Sequence, residues 1–319
     1  MPDLRELLRT RPFVFAAALA LVLLVANILA EPSFGKPGNW PTELATLVPF
    51  AIVAMASTPA IVSGGGGLDI SVGPIAVLAN VVLVEWLLPG SVWVDLPLLM
   101  VMGLAIGALN GALVTLLRYQ PVIATLCTFF VLAGVIAKIA PSNASTPAAN
   151  WTADFADKVG PIPGALILLA IPLAIWFALS RTAFHRNLYA VGGNDATAFS
   201  AGIDVTRTRI AAYALGGCFA AVAGVALTAL VQSTQATGYS QYTLIALAAV
   251  ALGGTQLGGG RGGLIPSLLG ACCIYLMQTL LGAVGVSSSW LTFVYGALLV
   301  TGVVIGAQML TLKPRSAQA

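Results

Sequence analysis

Ser63-Gly64-Gly65-Gly66-Gly67-Leu68-Asp69-Ile70-Ser71-Val72-Gly73 breaks one long apolar run of this chain, and Gly253-Gly254-Thr255-Gln256-Leu257-Gly258-Gly259-Gly260-Arg261-Gly262-Gly263 breaks another. Glycine inside a helix costs about 1 kcal/mol against alanine, so runs of this density end a helix. At membrane depth, backbone without helical bonds survives only where protein buries it or it lines a watery cavity. Many transporters build a solute path from helices broken in this way. The candidate path residues are Gly66, Gly67, Asp69, Ser71 and Gly73 in the first break, with Gly253, Gly254, Thr255, Gly259 and Arg261 in the second.

The composition around the breaks is that of a membrane protein. Of 319 residues, 59% are hydrophobic and 8% charged, with a mean hydropathy of +0.97. A soluble domain carries roughly 25% charged residues. The expected fold is all-α: a polytopic helix bundle in a lipid bilayer, with residues 1–319 forming one integral membrane domain. No Gly-x-x-x-x-Gly-Lys-[Ser/Thr] occurs, so a P-loop nucleotide site is not expected. The single histidine, His185, has no ligand cluster and no nucleophile arrangement around it, which argues against a metal centre and against an enzyme. Neither a cofactor nor a nucleic-acid partner is expected. Few intramembrane acids exist to form a proton relay. Cys127, Cys218, Cys272 and Cys273 all lie in apolar stretches and read as small buried residues.

A spanning helix takes about 20 mostly apolar residues. Segments 13–30, 44–62, 74–88, 96–117, 122–139, 164–180, 210–230, 241–257, 264–281 and 291–310 fit, giving about ten spans. The first follows Arg5, Arg9 and Arg11 as a signal peptide would, but it exceeds the usual h-region of about 7–15 residues. It also ends on Ile28-Leu29-Ala30, a poor cleavage site, so a retained span is expected. With the N-terminus in the cytoplasm, alternation places Arg118, Arg181, Arg186, Arg207, Arg209, Lys313 and Arg315 inside. The 31–43 and 140–163 connections, carrying Glu31, Glu43, Asp154 and Asp157, fall outside. Positive charge thus gathers inside, and both termini are expected in the cytoplasm. Segments 51–83 and 246–278 each run from an apolar helix through glycines to Pro74 or Pro266 and a further apolar helix. Both run in the same direction, as in a parallel internal repeat.

Asp69 has two readings. A carboxylate at membrane depth is costly, so it organises the break or contacts a polar solute. Alternatively Asp69 or Ser71 caps the helix that follows, with Pro74 in its first turn. Glu85, beside Trp86, reads as an interfacial acid, and Lys138 is near enough to its span's outer end to snorkel. Gly103, Gly107 and Gly111 form a small-residue stripe for close helix packing. In the 181–209 segment, Asn194 or Asp195 can cap a two-turn helix through Ala201 that stops at Gly202. Gly192 and Gly193 before it would let the chain turn sharply. Such a helix is too short to persist alone, and it carries Phe199 and Ile203. It packs on its own bundle or fits a groove on a cytoplasmic partner.

These residues resemble a known family. Gly66-Gly67-Leu68-Asp69-Ile70-Ser71-Val72-Gly73 is similar to the Gly-Gly-Ile-Asp-Leu-Ser-Val-Gly signature of ribose-type sugar permeases of bacterial ABC importers. Asn110-Gly111 with Gln120-Pro121-Val122-Ile123-Ala124-Thr125-Leu126 resembles the family's next stretch. Tyr189-Ala-Val-Gly192-Gly193-Asn194-Asp195 with Ser200-Ala201-Gly202-Ile203 resembles its cytoplasmic coupling segment. Val250-Ala-Leu-Gly253-Gly254-Thr255 through Gly258-Gly259-Gly260-Arg261-Gly262 resembles its second glycine loop. The matches run in family order from about 44 to 305. The departures are two extra glycines before the first motif, Pro74 where serine is common, and Ala201 where serine often precedes glycine. The resemblance implies a multi-pass permease of the bacterial inner membrane that imports a monosaccharide, pentose or hexose. It implies a separate ABC ATPase subunit, a periplasmic sugar-binding protein, and a second permease copy in a homodimer or paralogous heterodimer. It also implies that Gly192, Gly193, Asn194, Asp195, Phe199, Gly202 and Ile203 couple the chain to the ATPase. Two other readings stay open: a permease for branched-chain amino acids or another small polar solute, and a self-sufficient secondary carrier or channel.

Overall fold

The computed structural model of the protein describes residues 13–141 and 151–286, with isolated positions between 290 and 300. In chain order they form α1 (Phe13–Ala30), α2 (Trp40–Val62), α3 (Val72–Val82, continued by a π-helical turn at Leu83–Leu87), α4 (Val92–Thr115), α5 (Pro121–Ile139) and α6 (Thr152–Ala156). An antiparallel pair follows, β1 (Lys158–Val159) with β2 (Ile162–Pro163). Then come α7 (Gly164–Ser180), α8 (Ala183–Gly193), α9 (Asp195–Ser200), α10 (Val205–Val231), α11 (Tyr239–Leu252) and α12 (Leu264–Ala283). The molecule is an all-α membrane bundle, as its composition requires.

Helices α2 and α10 form the centre. Within the chain, 89% of the apolar window of each is buried, against 17% for α1, 22% for α4 and 28% for α5. Small residues on α10 explain this. A β-carbon added at Gly217 would lie 2.1 Å from Gly103 O, one at Gly216 2.6 Å from Ala56 O, and one at Gly224 2.2 Å from Ala76 O. Helices α4, α2 and α3 therefore meet α10 backbone to backbone, where dispersion contacts are dense. The stripe read from the sequence is the α4 half of this contact. Gly107 lies against Tyr213 O and Gly111 against Ile210 Cα, so α4 runs antiparallel to α10.

Polar residues set the remaining contacts. Asn27 Nδ2 donates to Leu23 O and to Leu276 O, each at 2.8 Å, and Thr279 Oγ1 donates to Asn27 Oδ1 at 2.8 Å. A buried amide without those partners would be costly, so this one fixes α1 on α12. At the end of the bundle away from the glycine breaks, Trp151 Nε1 donates to Asp95 Oδ2 at 3.0 Å, Thr234 donates to Glu85, and Tyr275 donates to Glu43. Cys218 and Cys273 are buried and Cys272 is half-buried, but Cys127 is exposed. That corrects the expectation for Cys127, which faces out of the chain because α5 is peripheral.

Six helices among the described residues are long and apolar enough to cross a membrane, or seven if α7 and α8, bent by 87°, count as one span. The expected figure of about ten is not confirmed. Segments 74–88 and 241–257 correspond to the short apolar helices Val72–Leu87 and Tyr239–Leu252, and 291–310 falls largely outside the described residues. The first break confines α3 to 72–87, and the second break begins at Gly253 and ends α11 before its segment does. The hairpins α2–α3 and α11–α12 reverse at the same end of the molecule, where Gly259 packs against Gly64. They have the same sense, as a parallel repeat requires.

Candidate functional site

Three backbone segments meet at the glycine end with almost no side chain between them. Gly192 is wedged between two of them: a β-carbon there would lie 1.9 Å from Val62 O and 2.5 Å from Gly260 N. One on Gly64 would lie 2.8 Å from Gly192 Cα, and one on Gly259 2.3 Å from Gly64 Cα. Gly260 N–H donates to Val62 O at 3.0 Å, tying the second break to the end of α2. Tyr189 OH, one turn before Gly192, donates to Gly262 O at 2.8 Å. Gly64, Gly65 and Gly66 hold φ of 73°, 64° and 72°, and Gly259 holds 96°. An L side chain would be strained in any of these turns. Gly192 is different. It and Gly193 end α8 in helical conformation, and Asn194, at φ −165°, makes the turn. The expectation that the two glycines turn the chain is thereby corrected: at Gly192, close approach is what demands glycine.

The segment beyond Gly193 is built as its sequence suggests. Asn194 Oδ1 accepts the Thr197 N–H at 2.9 Å and caps α9. Gly202, at φ 79°, closes it, with Gly202 N–H donating to Phe199 O and Ile203 N–H to Ala198 O. Asp195 does not cap. Its Oδ1 accepts from Arg209 Nη2 at 2.7 Å, and the same nitrogen reaches Ser63 O at 3.4 Å. One guanidinium on α10 thus joins α9 to the first break, and only 13% of its side chain is exposed. Phe199 is 73% exposed, so the chain's own bundle does not cover it.

Asp69 sits deeper, fully buried, where the first break rises into α3. Its Oδ1 accepts the Ser71 N–H at 2.9 Å and the Ser71 hydroxyl at 2.6 Å. Ser71 Oγ in turn accepts from Asn110 Nδ2 at 2.8 Å, and Thr128 Oγ1 donates to Asn110 Oδ1 at 2.5 Å. This ladder crosses from the break through α4 to α5. Ser71 stands at the N-cap position of α3, but its side chain makes no capping bond, and among the described residues the Asp69 side chain bonds only to Ser71. Neither residue is an ordinary cap. Gly73 brings α3 against α11, since a β-carbon there would lie 2.1 Å from Tyr239 O.

The second break is held by hydroxyls. Thr58 Oγ1 donates to Ser267 Oγ at 2.7 Å, Ser267 Oγ donates to Gly263 O at 3.1 Å, and Gly263 N–H donates to Thr255 Oγ1 at 3.3 Å. Gly253 closes on Pro266 O, and Gly254 takes φ of 85°. Arg261 is exposed, and only its carbonyl enters the loop, accepting from Gln256 N–H at 3.1 Å. Gly67 approaches Ala60 O, whereas Gly66 has open space about it. The candidate residues therefore form two linked places, a glycine contact at the end of the bundle and a polar ladder above it. Sequence reasoning did not single out Arg209, Tyr189 or Thr128 as site residues. The available signal for Arg209 was an arginine within one turn of a long apolar run.

The family described as "Branched-chain amino acid transport system / permease component" matches residues 42–303. The ribose import permease protein RbsC of Bacillus subtilis (strain 168) is 34% identical over 296 residues, 90% of each chain. The probable ABC transporter permease protein y4mJ of Sinorhizobium fredii (strain NBRC 101917 / NGR234) is 30% identical over 298 residues, 91% of this chain and 88% of its own. The D-allose transport system permease protein AlsC of Escherichia coli (strain K12) is 32% identical over 250 residues, 75% of this chain and 74% of its own. No solved structure matches the chain. The match spans both glycine breaks, α8 and α9, and the relatives are transport permeases and not enzymes. The chain belongs to the branched-chain amino acid transport system / permease component family, as a multi-pass membrane permease of the ABC type.

Proposed function

We propose that this chain is the membrane subunit of an ATP-driven importer that passes a monosaccharide into the bacterial cytoplasm. Its partners would be a separate ATPase, a periplasmic sugar-binding protein and a second permease copy. The observation that carries this reading is the position of Gly192, between the end of α2 and the α11–α12 loop. A push on exposed α9 reaches α8 through one residue, Asn194, and reaches α10 through the Asp195–Arg209 pair. Because the Gly192, Val62 and Gly260 backbones touch, α8 cannot shift without displacing both hairpins. Close-packed interiors move between discrete arrangements and do not deform smoothly, so both breaks would switch together. The ladder from Asp69 to Thr128 lies just above the first break and would feel that switch. Phe199 supplies the apolar contact for the ATPase.

The solute class rests on the relatives, whose names include ribose and allose. The family description also includes branched-chain amino acids, so the test must offer both. The chain, its ATPase and its binding protein are reconstituted in proteoliposomes with internal ATP. Radiolabelled D-ribose, D-allose and L-leucine are then supplied in turn. ATP-dependent accumulation of a sugar and not of leucine is expected. Leucine uptake alone would replace the solute, and sugar uptake by the chain without ATPase would replace the energy source.

A further inference from the structure

The connection between α10 and α11 reads Gln232-Ser233-Thr234-Gln235-Ala236-Thr237-Gly238. Its first half lies level with Asn80 of α3, whose Nδ2 donates to Ser233 O at 3.1 Å and whose Oδ1 accepts from Gln235 N–H at 2.6 Å. Its end lies lower. Thr243 Oγ1, in the first turns of α11, donates to Ile70 O at 3.0 Å, and Tyr239 O lies against Gly73. Asn80 stands two turns above Gly73, so the chain drops by about 10 Å between Gln235 and Tyr239. Helix length agrees. From the glycine contact, the 14 residues of α11 rise about 21 Å, short of a hydrocarbon core of roughly 30 Å.

Polar, non-helical chain thus enters at membrane depth, where either protein must cover it or water must reach it. The protein does not cover its lower end. Thr237, Ser240 and Gln241 are exposed, and their side chains make no hydrogen bond among the described residues. Beside them the Tyr239 ring meets Phe129 of α5 edge to face, with centroids 5.4 Å apart. Phe129 in turn meets exposed Phe130 at 5.5 Å. Unsatisfied amide and hydroxyl groups facing lipid would be costly. Beside an aromatic face, they match a sugar ring, whose hydroxyls donate and accept while its C–H face is apolar. We propose that the dip at 235–241 lines the outer half of the solute's route. Gln241, Ser240 and Thr237 would meet the sugar's hydroxyls there, and Tyr239 with Phe129 its apolar face. The proposal rests on the reading of the chain as a monosaccharide permease. It places the dip directly above the Asp69–Thr128 ladder, so a solute leaving it meets the start of α3.

The test uses the assembled transporter in proteoliposomes with radiolabelled D-ribose and D-allose. Gln241→Leu and Tyr239→Leu are expected to assemble normally and to lose about tenfold in uptake, the first through one missing hydrogen-bonded contact and the second through loss of the aromatic face. The ratio between the two sugars should also change, which a merely structural defect would not cause. Ser240→Cys, in a Cys127→Ser background, should react with a membrane-impermeant thiol reagent added outside. Unchanged uptake and ratio in both leucine variants would overturn the proposal. So would a Ser240→Cys that stays unreactive, or one that cross-links to a second copy, which would assign the dip to a subunit interface. If the wild type carries neither sugar, the functional reading fails together with the ligand class, while the labelling still decides whether water reaches the dip.

Discussion

Gly66 and Gly192 separate two reasons for glycine that look alike in sequence. Gly66 takes φ of 72° with open space where a side chain would go. Gly192 has helical backbone, but a β-carbon on it would lie 1.9 Å from Val62 O. Gly66→Ala should therefore cost only local left-handed strain of about 1–2 kcal/mol and leave abundance and uptake close to wild type. Gly192→Ala cannot be absorbed by rotating a side chain, because the atoms it meets are backbone. It has to push α8 away from α2 and the second break, so uptake should be lost. Measured uptake per unit of membrane-inserted protein checks the pair, and equal effects in the two variants would contradict the backbone-contact account. The glycine runs were legible because composition alone ends a helix there. Which glycine serves a turn and which a contact was not, since that depends on a neighbour more than a hundred residues away. Asp69 was partly legible for the same reason. Its presence at the break could be read, but its Ser71–Asn110–Thr128 ladder needs α4 and α5 folded beside it.

At the scale of elements, α9 shows what local chemistry can specify. Asn194 at the cap and Gly202 at the stop are short-range signals, and the helix lies between them as expected. Helix α8 was missed because Gly192-Gly193 reads as a break, whereas tertiary contact holds both residues helical. Helix α3 nearly fills its apolar segment and begins two residues ahead of it, at Val72, where the first break has reached the ladder. A six-residue helix does not persist by itself. Here the Asn194 cap, the Asp195–Arg209 pair and the Gly202 closure hold it while Phe199 points outward. Phe199→Asp removes none of those supports. It should insert and fold normally yet lose co-purification with the ATPase, because a charge would be buried without a partner at that contact. Retention of the ATPase at the wild-type ratio, with solute-stimulated ATP hydrolysis unchanged, would move the docking surface elsewhere.

For the whole molecule, the bundle class was legible from hydropathy, while the number of full spans was not, because α3 and α11, each bounded by a glycine break, are too short to count as full spans. The fold does gather the charges in a way the sequence could only suggest. Antiparallel packing of α4 on α10 brings Arg118 beside the start of α10, where Arg207 and Arg209 lie. The α7–α8 bend brings Arg181 and Arg186 to that same end, and the second break brings Arg261. The opposite end holds Glu43, Glu85 and Asp95 in hydrogen bonds to Tyr275, Thr234 and Trp151. A bundle with its basic residues at one end inserts with that end in the cytoplasm. The glycine contact and α9 should therefore face the cytoplasm and the β1–β2 turn the outside. Ala196→Cys and Val159→Cys, both exposed and each in a Cys127→Ser background, test this in intact cells with a membrane-impermeant thiol reagent. Labelling at 159 and protection at 196 until the cells are opened is the expected pattern. The reverse pattern would turn the molecule over, put α9 out of reach of any cytoplasmic ATPase, and remove the coupling role with it.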